Sequence, residues 1–177
     1  MRVPRILAVR PVVRTRFFAI EEIDLEFGNG VRRTYERMPG VGKSAVMVVA
    51  VDGDELVLIR EYCAGFHEIQ LTLVKGAAEA EESLEEAANR ELREETGLAA
   101  RQMRFVKRLT LAPGHMGFTI NVMLATDLYD APLPADEPEP PEVVRWPLSR
   151  LDELLAAPEF GEARAIAALC LARPLLA

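Results

Sequence analysis

Residues 76–98 read GAAEAEESLEEAANRELREETGL, with six glutamates between Glu79 and Glu91 and two more at Glu94 and Glu95. Ser83 followed three residues later by Glu86 is a capping-box pair, and Gly97 stands where a left-handed C-terminal cap is wanted. The spacing predicts a helix from Leu84 to Glu95 or Thr96. Leu84, Ala87, Ala88 and Leu92 recur at helical spacing and form its apolar side, with small residues that let a sheet come close. On the other side Glu91, Glu94 and Glu95 fall on adjacent turns, where carboxylates repel one another unless a cation sits between them. Such a cluster is either a solvated acidic face or a site for a hard divalent cation such as Mg2+.

The segments on either side read as strands. Ala45–Val51 and Leu56–Tyr62 are apolar runs joined by Asp52-Gly53, a hairpin with both faces buried. Arg60-Glu61-Tyr62 closes the second strand with polar groups, and Arg60 either pairs with Glu61 or a neighbour or reaches substrate. Ile69–Val74 reads as one strand that brings the Lys75 carbonyl beside the carboxylates as a further metal ligand. Gly76 is expected to turn the chain into the loop before the helix. The stretch PGVGKS at 39–44 is not a phosphate loop. Arg37 stands where that loop needs its first glycine, and a strand, not a helix, follows Ser44. Farther out, Ile6–Arg37 alternates apolar and polar residues around Asn29-Gly30, the strongest short hairpin signal. This antiparallel unit (residues 1–40, ahead of a main domain at 41–177) carries Arg14, Arg16, Arg32, Arg33 and Arg37. Most of these are expected to be solvated, with one or two reaching an anionic substrate.

Beyond the helix, Phe105–Leu111 and Thr119–Asp127 read as strands joined by a loop with Pro113-Gly114 and Gly117. His115 in that loop and His67 are the only histidines, and an exposed role is the default for both. ADEPEPPEVVRWPL at 135–148 is a stiff acidic connector before a short strand, Val143–Trp146. Beside a metal cluster it can supply a water-activating carboxylate, with Glu137 and Glu139 first and Asp136 and Glu142 also available. Helices at Leu148–Ala156 and Phe160–Ala172 carry apolar residues at helical spacing that cover a sheet. The fold class is α/β: a strand-rich α/β/α sandwich with an N-terminal antiparallel β extension.

Composition narrows the field. The chain has 177 residues, 50% of them hydrophobic, and a net charge of −7, enough for one domain core. That acidity argues against a nucleic-acid surface. Two cysteines, Cys63 and Cys170, give no disulfide framework and fit a reducing cytoplasm. Arg10-Pro11 interrupts the apolar N-terminal run, so no signal peptide or membrane span is expected.

Gly76, Glu82, Arg90-Glu91-Leu92, Glu94-Glu95 and Gly97-Leu98 fill every fixed position of G-x5-E-x7-R-E-U-x-E-E-x-G-U, where U is a bulky aliphatic residue. On this signature the chain is identified as a member of the Nudix hydrolases. DLEFGNGVRRTYERM, LIREYCAG, LAPG and DLYDAPLPADEPEPPEVVRWPL extend the resemblance to the ADP-ribose pyrophosphatase branch of that family.

The resemblance implies a Nudix α/β/α sandwich that hydrolyses the pyrophosphate of ADP-linked compounds (ADP-ribose, NADH, diadenosine polyphosphates) with Mg2+, Mn2+ being a possible substitute. Metal ligation carries over to Glu91 and Glu95, supported by Glu94 and the Lys75 carbonyl. The general base maps onto Glu137, with Glu139 beside it as a possible further ligand, and Glu94 and Glu95 complete the catalytic group. A homodimer built through the N-terminal sheets is implied, with Arg60, Arg37 and Arg16 as candidates for holding substrate. One departure is visible: relatives place an ELPAG-like segment before the box glycine, whereas this chain reads LTLVKG at 71–76. Rival readings are action on another nucleoside diphosphate compound or an RNA 5' end, and a non-catalytic nucleotide-binding module.

Overall fold

The structure is a computed structural model that describes all residues except Met1, 41–43, 136–137 and Ala177. The chain divides into two compact units, Met1–Gly42 with Thr110–Thr119, and Lys43–Leu109 with Ile120–Ala177.

In the first unit β1 (Arg5–Arg14), β2 (Ala19–Glu26) and β3 (Arg32–Arg37) form an antiparallel sheet in the order β1-β2-β3. Asn29-Gly30 makes the β2–β3 turn as expected, in a five-residue loop. Gly30 takes φ 80°, and the Asn29 side chain accepts from the Val31 N–H at 3.1 Å. The 110–119 segment joins this unit through the backbone: the Met38 N–H donates to His115 and the Gly117 N–H to Met38, at 2.8 and 2.9 Å. A Cβ on Gly117 would lie 2.5 Å from the Gly40 nitrogen. Close backbone approach, and not mobility, accounts for that glycine.

The second unit is built on a sheet in the order β10-β5-β4-β9-β8, with β4 (Ala45–Asp52), β5 (Glu55–Cys63), β8 (Leu98–Thr110), β9 (Thr119–Asp130) and β10 (Glu142–Pro147). β4 and β9 run parallel. Gly53 at φ 61° makes the β4–β5 turn. The strand expected at 69–74 is in fact two, β6 (Glu68–Thr72) and β7 (Val74–Ala77). β4 and β5 pair only next to their turn, from Ala50↔Val57 to Asp52↔Glu55. Beyond it they diverge, and β6 takes the free edge of β5 while β7 takes that of β4. A single straight strand cannot follow both arms, so the chain breaks at Leu73. β8 also starts earlier than expected, directly after Gly97.

Strand alternation splits the core into two layers. Val46, Val48, Ala50, Val57, Ile59, Met123 and Ala125 pack with Ala87, Ala88 and Leu92 of α1 (Leu84–Thr96). The alternate residues Met47, Val49, Leu56, Leu58, Val122 and Leu124 are equally buried. α2 (Leu151–Ala156) and α3 (Ala163–Ala172) lie at the C-terminal end, and α3 packs on β4. Both are shorter than their apolar patterns suggested. Residues 148–150 form a 3-10 turn, and Phe160 is buried ahead of α3 instead of within it.

Candidate active site

Helix α1 has the predicted start and stop. Ser83 Oγ accepts from the Glu86 N–H and the Glu86 carboxylate accepts from the Ser83 N–H, while Gly97 closes the helix at φ 76°. The Asn89 side chain donates to the Ala100 carbonyl and accepts from its N–H. Arg93 donates to the Ala131 carbonyl. These contacts fix the helix against β8 and the end of β9, and so fix the direction of its acidic side.

Arg90 ties that side together. Its guanidinium donates to Glu82 at 3.0 and 3.2 Å, to Glu91 at 2.9 Å, to Glu94 at 2.8 Å and to the Ala77 carbonyl at 2.9 Å. Arg90 is 21% exposed and its three acids 13–20%, so the pairs are shielded from water. Burial raises the Glu82 carboxyl, yet Arg90 and the Glu79 N–H outweigh it and hold the group below its usual range. Glu82 thus anchors the arginine. Gly76 differs from the sequence expectation. It lies in β7 without positive φ, and its role is space, since a Cβ there would sit 2.0–2.1 Å from the Glu91 carboxylate.

Glu95 points into the unit on the β7 side. Its carboxylate accepts from the Lys75 N–H at 3.3 Å. In an antiparallel strand a residue's N–H and C=O face the same edge, which puts the Lys75 carbonyl on the Glu95 side. Burial, with the Glu61 and Glu91 charges behind it, pushes the Glu95 carboxyl up to about 8 against the pull of Lys75. The Lys75 ammonium itself pairs with Glu61. Among the described residues no three acidic, histidine or cysteine side chains are grouped as a metal ion would need. The convergence of Glu91, Glu94 and Glu95 expected from helical spacing is therefore not complete: Arg90 draws Glu91 and Glu94 to itself, and Glu95 leans to Lys75.

A cavity of about 390 Å3 opens beside Glu95, lined also by Arg60, Glu61, Tyr62, Ile69 and the 138–141 segment with Glu139. The structure thus brings Glu95, Glu139 and Arg60 to one cavity. Glu137 and Asp136 lie outside the described residues. Arg60 pairs not with Glu61 but with Glu142 at 3.1 Å and Glu159 at 3.3 Å. Arg37 pairs with Glu21 at 2.7 Å and Arg16 lies over the Phe17 ring at 5.1 Å, both in the first unit. His115 donates and accepts through its backbone in the 110–119 loop. Sequence reading missed Glu61 and Glu159 as site neighbours. The polar end of an apolar strand at 60–62 was the available signal for Glu61, while Glu159 comes from 99 residues away with none.

A hydrophobic strand pair whose diverging edges are taken by β6 and the glycine-bearing β7, followed by a capped acidic helix locked by one arginine, defines a Nudix site. The NUDIX domain family model matches residues 42–170, and that of the NudE-type Nudix hydrolase N-terminal domain matches residues 4–37. The chain belongs to the Nudix hydrolases. It is 48% identical to the ADP compounds hydrolase NudE of Escherichia coli (strain K12), over 98% of this chain and 93% of that one. It is 27% identical to the ADP-ribose pyrophosphatase of Bacillus subtilis (strain 168), over 82% and 78% of the two chains. A crystal structure of an ADP compounds hydrolase superposes with a TM-score of 0.95 at 47% identity, covering 99% of this chain and 95% of that one. No helix among the described residues is long and apolar enough to cross a membrane.

Proposed function

We propose that this chain hydrolyses the pyrophosphate of ADP-linked compounds (ADP-ribose, NADH, diadenosine polyphosphates), releasing AMP and a phosphorylated remainder. The observation that carries this reading is Glu95, half-buried beside a ligand-sized cavity, with Gly76 leaving room for Glu91 close by. The names of the two relatives point to the same substrate class.

The residues fit a divalent cation, Mg2+ or Mn2+ in its place. All donors are hard oxygens, and Gly76 leaves room for the Glu91 carboxylate where any side chain would collide. Glu91 and Glu95 would hold the ion, with Glu94, the Lys75 carbonyl and Glu139 in support. When bound, such an ion neutralises diphosphate charge and makes water more acidic. The protein's own part is positioning. Arg90 fixes Glu91 and Glu94, β7 orients Glu95, and the acidic loop brings Glu139 to the cavity, with Glu137 as general base. Arg60 lines the cavity but already carries two carboxylates, so it serves as part of the wall. Arg37 of β3 and Arg16 of the β1–β2 turn are proposed substrate contacts from the N-terminal region.

We also propose a cytoplasmic homodimer in which the N-terminal sheets of two copies meet. Val9, Val12, Val13, Phe17 and Phe18 in and after β1 are 45–72% exposed, a large apolar surface for one sheet. Light scattering on the eluted protein checks this, with a monomeric mass as the opposing result.

The activity is tested by incubating the chain with ADP-ribose, NADH, diadenosine polyphosphates, dATP and triphosphorylated RNA, with and without Mg2+. AMP with ribose 5-phosphate from ADP-ribose, only with the ion, is the expected outcome. Preferred turnover of dATP or RNA would overturn the substrate assignment.

A further inference from the structure

The cavity lining is of two chemical kinds. Glu61, Glu95 and Glu139 supply carboxylates, while Tyr62, Ile69, Pro138, Pro140 and Pro141 supply surface without charge. Tyr62 and Ile69 are directly opposed in the β5–β6 pair, which sets their side chains next to each other on one face of the sheet. They are 58% and 60% exposed, unusual for large apolar groups inside a cavity. Solvent-facing rings usually move, but this one is held. The Tyr62 hydroxyl shares a hydrogen bond of 2.8 Å with His67 Nδ1, and the imidazole meets the phenol ring edge-on at 5.8 Å.

His67 reaches that position through a backbone conformation uncommon for a residue with a side chain, φ 57°. The Phe66 and His67 N–H groups both donate to the Cys63 carbonyl, which closes the β5–β6 turn tightly enough to require it. Arg60, two residues before Tyr62, is on the same face, but Glu142 and Glu159 neutralise its charge. Among its described residues the cavity lining therefore offers a fixed aromatic face and a proline surface, and no unpaired cation.

We infer that Tyr62, fixed by His67, is the platform on which the purine of an ADP-linked substrate stacks, with the diphosphate directed toward Glu95. This rests on the functional reading above, which supplies the purine as the flat ring common to all ADP-linked compounds. Stacking accepts any π-face, and its strength depends on a ring held still. His67 is a positioning residue in this scheme.

The test pairs kinetics with direct binding. Tyr62→Ala should raise KM for ADP-ribose about tenfold, the size of a lost base–aromatic stack, with the change in KM exceeding that in kcat. Tyr62→Phe keeps the ring and should stay within about threefold of wild type, and His67→Ala should fall between the two because the ring loses only its restraint. Without metal, titration with adenosine should move the Tyr62 ring protons upfield, a resonance identified by its loss in Tyr62→Phe. An unmoved resonance, or equal KM for wild type and a folded Tyr62→Ala protein, overturns the stacking role. Equal losses in Tyr62→Phe and Tyr62→Ala also overturn it, by assigning the effect to the hydroxyl. If wild type does not cleave ADP-ribose, the functional reading fails, and the adenosine titration still decides the platform.

Discussion

Arg10 in the N-terminal sheet and Arg90 on α1 each meet several carboxylates at once, and the two groups differ mainly in water access. In the N-terminal sheet Arg10 holds Glu22 and Asp24 across β1 and β2, at 3.2 and 2.5 Å, in the open. On α1, Arg90 holds Glu82, Glu91 and Glu94 where solvent is largely excluded. Exposed pairs exchange one good environment for another and contribute little to stability. Shielded pairs cannot, because losing the cation strands acids that water no longer reaches. The number of ion pairs in a region therefore says little about its importance; the environment of the carboxylates decides.

The sharpest way to break that comparison is Arg90→Met. It should destabilise the protein by about 3 kcal/mol, the low end for breaking a buried pair, and abolish hydrolysis by releasing Glu91 and Glu94. A chemical denaturation midpoint equal to wild type would place Arg90 with the surface pairs. Glu95→Gln should leave the melting curve close to wild type and lower turnover at least about 100-fold, since one electrostatic group in an active site commonly contributes that much. Gly76→Ala should fold, because the obstructing atoms are the end of the Glu91 side chain, but lose up to about 100-fold in kcat from misplacing that carboxylate. Steady-state rates against Mg2+ concentration distinguish this from simple destabilisation.

The smallest effect belongs to the exposed network. Arg10, helped by the Thr34 hydroxyl, holds the Asp24 carboxyl at about 2, below its ordinary 3.8. A lowered carboxyl contributes to stability above its unfolded value, and the contribution disappears as pH falls through the folded one. Solvent screens this exposed pair, so Arg10→Ala should lower the melting temperature at pH 7 only slightly. The difference should vanish as pH falls toward about 2, while the Asp24 carboxylate titrates at higher pH in carbon NMR. A marked loss of stability at neutral pH would contradict the distinction between the two regions.

What the sequence made legible was local chemistry. The Ser83–Glu86 box, Gly97, Asn29-Gly30 and Asp52-Gly53 each act within a few residues, and all four stand where pattern alone set them. Helical spacing also puts Glu94 on the same face as Arg90, four residues on. The break at Leu73 was not, because it follows from the divergence of β4 and β5, which no residue in 69–74 encodes. The partners of Arg60 were hidden for the same reason: Glu142 and Glu159 reach it only through β10 and the turn before α3. Gly76 was read as a bend because a glycine before a loop usually is one. Its actual neighbour lies fifteen positions later, on the next element.

The tip at 110–119 is stitched to Met38 by backbone hydrogen bonds although its strands arise in the other unit. Cutting the gene after codon 40 would therefore not liberate a self-sufficient enzyme. It would leave the His115 carbonyl and the Gly117 amide without their mates, and bare peptide groups of that kind invite clumping. Anyone grafting this leader onto a foreign hydrolase would have to transplant the distant loop along with it.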